Sequence, residues 1–451
     1  MPQAVSQAVS TEPDVATLNH LCRELAEAAE AVGEAAAYLS GLALGAQAPR
    51  TARRGAWRGL LRTLTDPAGL GWAPRGRGAA ARAGWLVGVF TSRESLAVSL
   101  AVAGLKARIR AAAVTHPELL ENPSTSRILA AIEQDRQRDA VRIFKSLLQN
   151  DGAEHAFAML APSFADILAW NALTDENPFN DTAGWQVATG KAMTAEPLLG
   201  LGAGFWEFFD RGPGRAEPLV PDPAWAAGLD TSGTITGYVR NIDLISTDGT
   251  LLVQQVIGPD GVLRHVVQLA GMARSFNAKS PQDMVGAFNA VGRPDSPYSR
   301  AVAKALRSFI PSGAELALVG HSQGGITAMN LAGNRDLNAL YRITHVVAVG
   351  SPIDAKRPAD PQTKVFSLVN EHDIVPSLEG RSAISPYTLP AGFTEYTWVD
   401  DTRAFPLCHA AERYAHNLEF EATEAAAQVD AALAAYRGRV TGNRLFSLYD
   451  R

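Results

Sequence analysis

The chain has 451 residues, 47% of them hydrophobic and 19% charged, so it can bury a large core and lies far from the polar composition of disordered chains. At roughly 100–200 residues per domain, that length excludes a single small module. Forty-one basic residues against 46 acidic ones, net −5, leave no field to hold a phosphate backbone, and no nucleic-acid partner is expected.

The first residues (MPQAVSQAVSTEPDVATLNHL) lack the basic start and apolar run of a Sec signal peptide. A cytoplasmic location is therefore the expectation, with signal-peptide-independent export as the alternative. From Leu18 to Leu42 apolar residues fall at Leu18, Leu21, Leu25, Ala28, Val32, Ala35, Leu39 and Leu42. Spacings of three and four make a helical seam, a candidate surface for self-association or partner docking. Segment 50–82 carries eight arginines against the single acid Asp66 and reads as a basic linker over 50–84. The apolar stretch from Trp85 to Leu105 places Arg93 and Glu94 near its middle, which is costly in a bilayer, so it reads as a buried helix. Helical spacing continues to about residue 175, and 85–230 is expected to be a helical region that ends in a Pro/Gly-rich boundary.

After about residue 232 strands alternate with helices. The expected strands are Thr234–Ser246, Leu251–Ile257, His265–Leu269, Glu315–Val319, His345–Val349, Lys364–Val369 and Glu395–Val399, with the first two joined as a hairpin through Asp248-Gly249. Helices are expected over Pro281–Val291, Ser299–Phe309, Gly324–Ala332 and Ala410–Tyr436. The fold class is α/β, a mostly parallel sheet flanked by helices and preceded by an all-helical domain.

The strand Glu315–Val319 runs into Gly320-His321-Ser322-Gln323-Gly324 and then a helical pattern. This is a G-x-S-x-G turn in a strand–turn–helix setting, where small flanking residues let the chain turn sharply enough to expose the Ser322 hydroxyl. Chance alone supplies about 0.2 matches to the bare pattern in such a chain, so its setting carries the signal. No metal or other cofactor is expected: HExxH and CxxC are absent, and two cysteines, Cys22 and Cys408, make neither a disulfide framework nor a zinc site. Gly200–Gly204 and Thr189–Ala192 lack the full spacing of dinucleotide and phosphate loops.

With that elbow, and with an Asp and a His downstream in order, about residues 232–436 resemble an α/β-hydrolase of the lipase/esterase kind, within an expected catalytic domain of 231–451. The resemblance implies Ser322 as nucleophile, Asp373 after the strand Lys364–Val369 as acid, and His409 after Glu395–Val399 as base. Asp354 and the weaker Glu371 stand as alternative acids, and His416 as an alternative base. It also implies an oxyanion hole from the Gln323 backbone N–H and a second N–H, Met272 in preference to Gly271. His321 belongs to the elbow, and His372 lines the site or is solvated. His20, His116, His155, His265 and His345 read as surface or satisfied histidines, and Cys408 as a small apolar residue.

The implied activity is serine ester hydrolysis on small-molecule or lipid esters. Its alternatives are a non-catalytic module that keeps the fold as a scaffold, and an exported lipase-like effector addressed by its helical N-terminus. The gap from Ser351 to Thr363 is too short for a cap domain, which makes the helical half with its apolar Leu198–Phe209 segment the candidate cover; the alternative to a solvated linker at 50–82 is a basic patch making peripheral contact with acidic membrane lipid or a partner.

Overall fold

The computed structural model describes residues 17, 20–32, 96–150, 153–175, 180–190, 212–221, 223–245, 249–272, 280–283, 286–287, 290–291 and 293–451. The basic linker, the Leu198–Phe209 segment, residues 18–19 and 33–42 of the Leu18–Leu42 seam and part of Pro281–Val291 lie outside the described residues.

The N-terminal half is helical: α1 (Leu96–Thr115), α2 (Pro123–Glu133), α3 (Gln137–Asn150), α4 (Ala153–Leu160), α5 (Phe164–Thr174) and α6 (Asp181–Ala188). The start of α2 follows from local chemistry: Pro123 occupies the first turn, and the Asn122 side chain accepts from the Ser124 and Thr125 amides. In α1, Ala97, Ala101, Leu105, Ile109 and Ala112 recur at helical spacing and are buried; residues 85–95 of the apolar stretch, with Arg93 and Glu94, lie outside the described residues. The most bilayer-like stretch among the described residues is His155–Thr174, and 78% of it is buried within the protein. In the helical residues 20–32 the buried face is Cys22, Ala26 and Ala29, while Leu21 is 49% exposed. The seam packed into this core is thus offset by one residue from the leucine positions, because the small side chains allow close approach. The Leu25 Cβ lies 3.8 Å from where a Cβ on Gly104 of α1 would stand.

At the centre of the helical core, Arg108 of α1 pairs with Asp166 of α5, with side chains 2% and 1% exposed. The guanidinium also donates to the Ala188 and Val187 carbonyls at the end of α6, at 3.1 and 3.2 Å, so one cation ties three helices together. Burial pushes the Asp166 carboxyl above its ordinary range, against the opposing charge of Arg108.

The C-terminal half is an eight-stranded mixed sheet of order β1-β8-β2-β3-β4-β5-β6-β7. The strands are β1 (Arg215–Leu219), β2 (Thr250–Ile257), β3 (Leu263–Leu269), β4 (Glu315–His321), β5 (Arg342–Val349), β6 (Lys364–Asn370), β7 (Phe393–Trp398) and β8 (Arg439–Tyr449). From β3 to β7 the strands are parallel and in chain order, whereas β1, β8 and β2 pair antiparallel. The central strands carry apolar runs without alternation, such as residues 316–319 and 346–349, because both faces are covered. In β4, Leu316 and Leu318 join one core with α8 (Pro297–Phe309) and α9 (Gln323–Gly333). Ala317 and Val319 join the other, with α7 (Ile235–Leu244), α10 (Ala411–Phe420) and α11 (Thr423–Ala432).

Three sequence expectations are corrected. Thr234–Ser246 is not a strand but holds α7: its β-branched residues mask a helical period in which Ile235, Tyr238, Val239 and Ile242 are all buried, and the Thr234 hydroxyl caps the first turn by accepting from Gly237. The hairpin is therefore β2–β3, turning near Asp260-Gly261, where Gly261 has φ +77°. Ala410–Tyr436 is not one helix, since the chain breaks between α10 and α11 at Glu421-Ala422. Two strands go unread: β1, which sits inside the Pro/Gly-rich boundary, and β8, which returns to lie between β1 and β2.

The two halves share one core. Ile374 and Ile384, from the segment between β6 and β7, pack into the cluster of the helical half, together with Val375 and Phe405. The Ala383 amide donates to the Pro162 carbonyl at 2.9 Å. Replacing Asp166 by Ala would strand the Arg108 cation in this core. It is expected to cost about 3–5 kcal/mol of stability, while Arg108→Met with Asp166→Leu costs less, as chemical denaturation followed by circular dichroism would measure.

Candidate functional site

Ser322 stands between β4 and α9 with φ +55° and ψ −124°, a conformation that costs a non-glycine residue of order 1–3 kcal/mol and persists only where the surroundings enforce it. Here they do. The Ser322 amide donates to the Val349 carbonyl at the end of β5, at 2.9 Å, and the Ser322 carbonyl accepts from the Gly325 amide at 3.0 Å. The flanking glycines leave no alternative: a Cβ on Gly320 would lie 2.3 Å from Gly324, and one on Gly324 would lie 2.1 Å from the Leu269 carbonyl oxygen of β3. Backbone packed on backbone cannot yield, so the tight turn and its two glycines are one constraint.

The His409 Nε2 lies 2.9 Å from Ser322 Oγ, and its Nδ1 lies 2.6 Å from Asp373 Oδ2. An ionised carboxylate only accepts, so Nδ1 carries the proton and Nε2 is left to accept from the serine hydroxyl. Asp373 follows β6 and is buried. Besides the imidazole it accepts from the Tyr414 hydroxyl at 2.9 Å and from the Val375 amide at 3.0 Å. The turn after β5 leaves room for it only because Gly350, at φ +57°, has no side chain; a Cβ there would stand 3.0 Å from Asp373 Oδ2 and from the Tyr414 ring. Ser322, Asp373 and His409 are thus brought together, 36 and 87 residues apart along the chain.

The alternatives go elsewhere. His416 is half-exposed on α10, 4.0 Å from Glu421. Asp354 pairs with Arg381 Nε at 3.0 Å, and burial raises its pKa to about 6. Glu371 accepts from His116 Nε2 at 2.7 Å. His372 is not solvated: it is fully buried and reaches the helical half, where it meets the Ala158 carbonyl at 3.0 Å and Glu118 at 2.9 Å. Cys408 is buried, with burial and then the charge of Asp373 pushing its thiol up, an inert setting for a cysteine. At the elbow, Gln323 opens α9, where first-turn amides have no intrahelical acceptor. A Cβ on Gly271 would meet the Ser322 Cβ at 2.9 Å, so the backbone of Gly271 and Met272 runs beside the nucleophile; Met272 itself is 43% exposed.

Two further residues hold this geometry: Tyr414, which the sequence did not single out, and His321, which it placed in the elbow without a role. Tyr414, one turn into α10, is buried and takes a hydrogen bond from the Asn370 amide at 3.1 Å while donating to Asp373. Burial and the Asp373 charge keep its hydroxyl protonated well beyond the ordinary range. His321 donates Nε2–H to the His409 carbonyl at 2.7 Å, its ring 4.8 Å from the His409 ring. That carbonyl can only accept, which fixes the His321 tautomer. Burial, and then the neighbouring His409, lower the His321 pKa to about 3. The sequence signal for both is position alone: one abuts the nucleophile, and the other sits five residues beyond the base.

A cavity of about 360 Å³ opens beside Asp373, lined among others by Ala161, Pro162, Arg381 and Glu395. Neither Ser322 nor His409 lines it. Comparison of the chain with protein-family models, curated proteins and solved structures finds no match.

The low pKa of His321 has a defined consequence. Between its ordinary value of 6.5 and about 3, the unfolded chain takes up a proton that the folded chain refuses. Stability is therefore lost as pH falls through this window, by up to about 1.4 kcal/mol per pH unit from this group. His321→Gln keeps an N–H for the His409 carbonyl but cannot titrate, so its unfolding free energy between pH 6 and 4 should decline less steeply than wild type, by about one proton in the linkage slope.

Proposed function

We propose that this chain is a serine carboxylic-ester hydrolase of the α/β-hydrolase, lipase/esterase type, with Ser322 as nucleophile, His409 as general base and Asp373 as the acid that orients it. The observation that carries this reading is the unbroken hydrogen-bond chain from Ser322 Oγ through His409 to Asp373. It is reinforced by the positive φ of Ser322: strain held by backbone contact at a hydroxyl fits a nucleophile better than a scaffold turn.

The steps follow from what each group can do. His409 Nε2 takes the hydroxyl proton as Oγ attacks the ester carbonyl, then returns it to the leaving alcohol, so that an acyl-enzyme remains. Water attacks the acyl carbon by the same route, giving the acid and free Ser322. Asp373 holds the imidazole in its tautomer and balances the imidazolium that forms at each attack. The carbonyl oxygen, negative in each tetrahedral intermediate, is met by the Gln323 amide and by an amide of the 271–272 backbone. Preference for hydrophobic or lipid esters follows from the resemblance of residues 232–436. The helical half, docked against the Asp373 loop, is the candidate element for admitting substrate.

Labelling by a fluorophosphonate probe, with hydrolysis of p-nitrophenyl esters from C2 to C16, tests the reading. Wild type should label and turn over, and Ser322→Ala should lose labelling and at least about 10⁴-fold of its turnover. Absence of labelling in folded wild-type protein would overturn it. Tyr414→Phe removes one donor to Asp373 and should lower kcat about tenfold, with KM little changed.

A further inference from the structure

Away from Ser322, histidine and carboxylate groups from distant parts of the chain converge where the helical half meets the sheet. His116 follows α1, Glu118 stands two residues on, and His372 comes from the loop after β6, 254 residues beyond Glu118. All three are buried. The His372 ring has Nδ1 at 3.0 Å from the Ala158 carbonyl, which can only accept, and turns Nε2 toward Glu118 Oε1 at 2.9 Å. The His116 ring has Nε2 at 2.7 Å from Glu371 Oε2 and turns Nδ1 toward the same Glu118 oxygen at 3.2 Å. Each ring therefore commits one nitrogen to an outward acceptor and presents the other inward. The three inward donor atoms lie within 4.8 Å of one another.

That division of labour is what a transition-metal site requires. An outward N–H held by a carbonyl or carboxylate fixes the tautomer and the orientation of the ring, leaving the opposite lone pair for the ion. The charge environment is compatible: Glu118 is buried, the Glu371 side chain is 21% exposed, and among the described residues both pair with histidines, not with lysine or arginine. A divalent cation would supply the positive charge that otherwise only a protonated histidine could. Two imidazoles and one carboxylate suit zinc and its neighbours, and not calcium or magnesium, which take oxygen ligands. Zinc bonds to nitrogen and oxygen near 2.0–2.2 Å set ligand atoms about 3.3–3.5 Å apart, so the N···O contacts of 2.9 and 3.2 Å would open by a few tenths of an ångström while the two histidine nitrogens, within 4.8 Å of each other, would close by up to about 1.5 Å through ring rotation.

We propose that His116, Glu118 and His372 bind a zinc-class divalent ion, with the Ala158 carbonyl and Glu371 orienting the two rings. The ion joins the helical half to the residue preceding Asp373, so its presence fixes the segment that carries the acid. This site does not depend on the hydrolase reading. It also escapes sequence motifs, because its ligands are not spaced along one element.

The full chain, stripped with EDTA and dialysed, would be titrated with ZnCl₂ by calorimetry and with CoCl₂ by visible absorption. One zinc per chain, a rise in melting temperature on binding, and cobalt d–d bands of a low-coordinate site are expected. Glu118→Gln and His116→Phe should weaken zinc binding at least about 100-fold, and Glu371→Gln, which removes a charge that orients His116, about 10- to 100-fold. Ser322→Ala and His416→Ala should bind zinc as wild type does. Lack of saturable zinc binding and of cobalt absorption in the unaltered protein would overturn the proposal, whether or not the variants fold. So would binding that Glu118→Gln and His116→Phe leave intact.

Discussion

The close approach of β3, β4 and the start of α9 is the constraint from which the rest of the site follows. Gly324 lies against the last carbonyls of β3, and Gly320 against Gly324, so the turn between them has no slack. The strain is concentrated on Ser322, whose amide is anchored to the end of β5. A side chain at either glycine would push apart the strands that supply the site's other elements. The same contact that turns the hydroxyl toward His409 also registers it against the ends of β5 and β6, where Gly350 makes room for Asp373.

Around that turn the polar groups form a closed set. Asp373 accepts from His409, Tyr414 and Val375, and His409 is held at both ends, by Asp373 at its ring and by His321 at its carbonyl. The Asn370 side chain reaches the neighbouring Cys408 carbonyl at 3.2 Å, so the loop before α10 is tied to the end of β6. Buried groups with so few spare valences tolerate little displacement, which is how a loop residue such as His409 is held as firmly as one on a strand.

Much of this was legible in the sequence because the signals were local. An apolar run, a glycine-flanked serine and a helical pattern in immediate succession place Ser322, and strand ends followed by Asp373 and His409 place its partners. The sequence was silent where the deciding term is tertiary. The β-branched residues of α7 favour a strand by propensity, and only packing of Ile235, Tyr238, Val239 and Ile242 on one face reveals the helix. β1 is a short edge strand containing Pro218, tolerable only there, and nothing local marks it. His372 reads as a site or solvent residue until the helical half is laid over it, and the buried face at Cys22, Ala26 and Ala29 is set by what α1 will accept.

The place of β8 in the sheet imposes an order on synthesis. β1 has its partner in β8, Arg215 opposite Tyr449, and β2 has β8 along one side. On the ribosome, β1 must wait for more than 200 further residues to be made before it has a strand to pair with, whereas β3 to β7 can be added in the order in which they emerge. The parallel part can assemble during translation with the open side of β2 awaiting its strand, and this half of the sheet is completed only once β8 has emerged. Until then the nascent chain carries an unpaired edge that a chaperone or another copy could pair with.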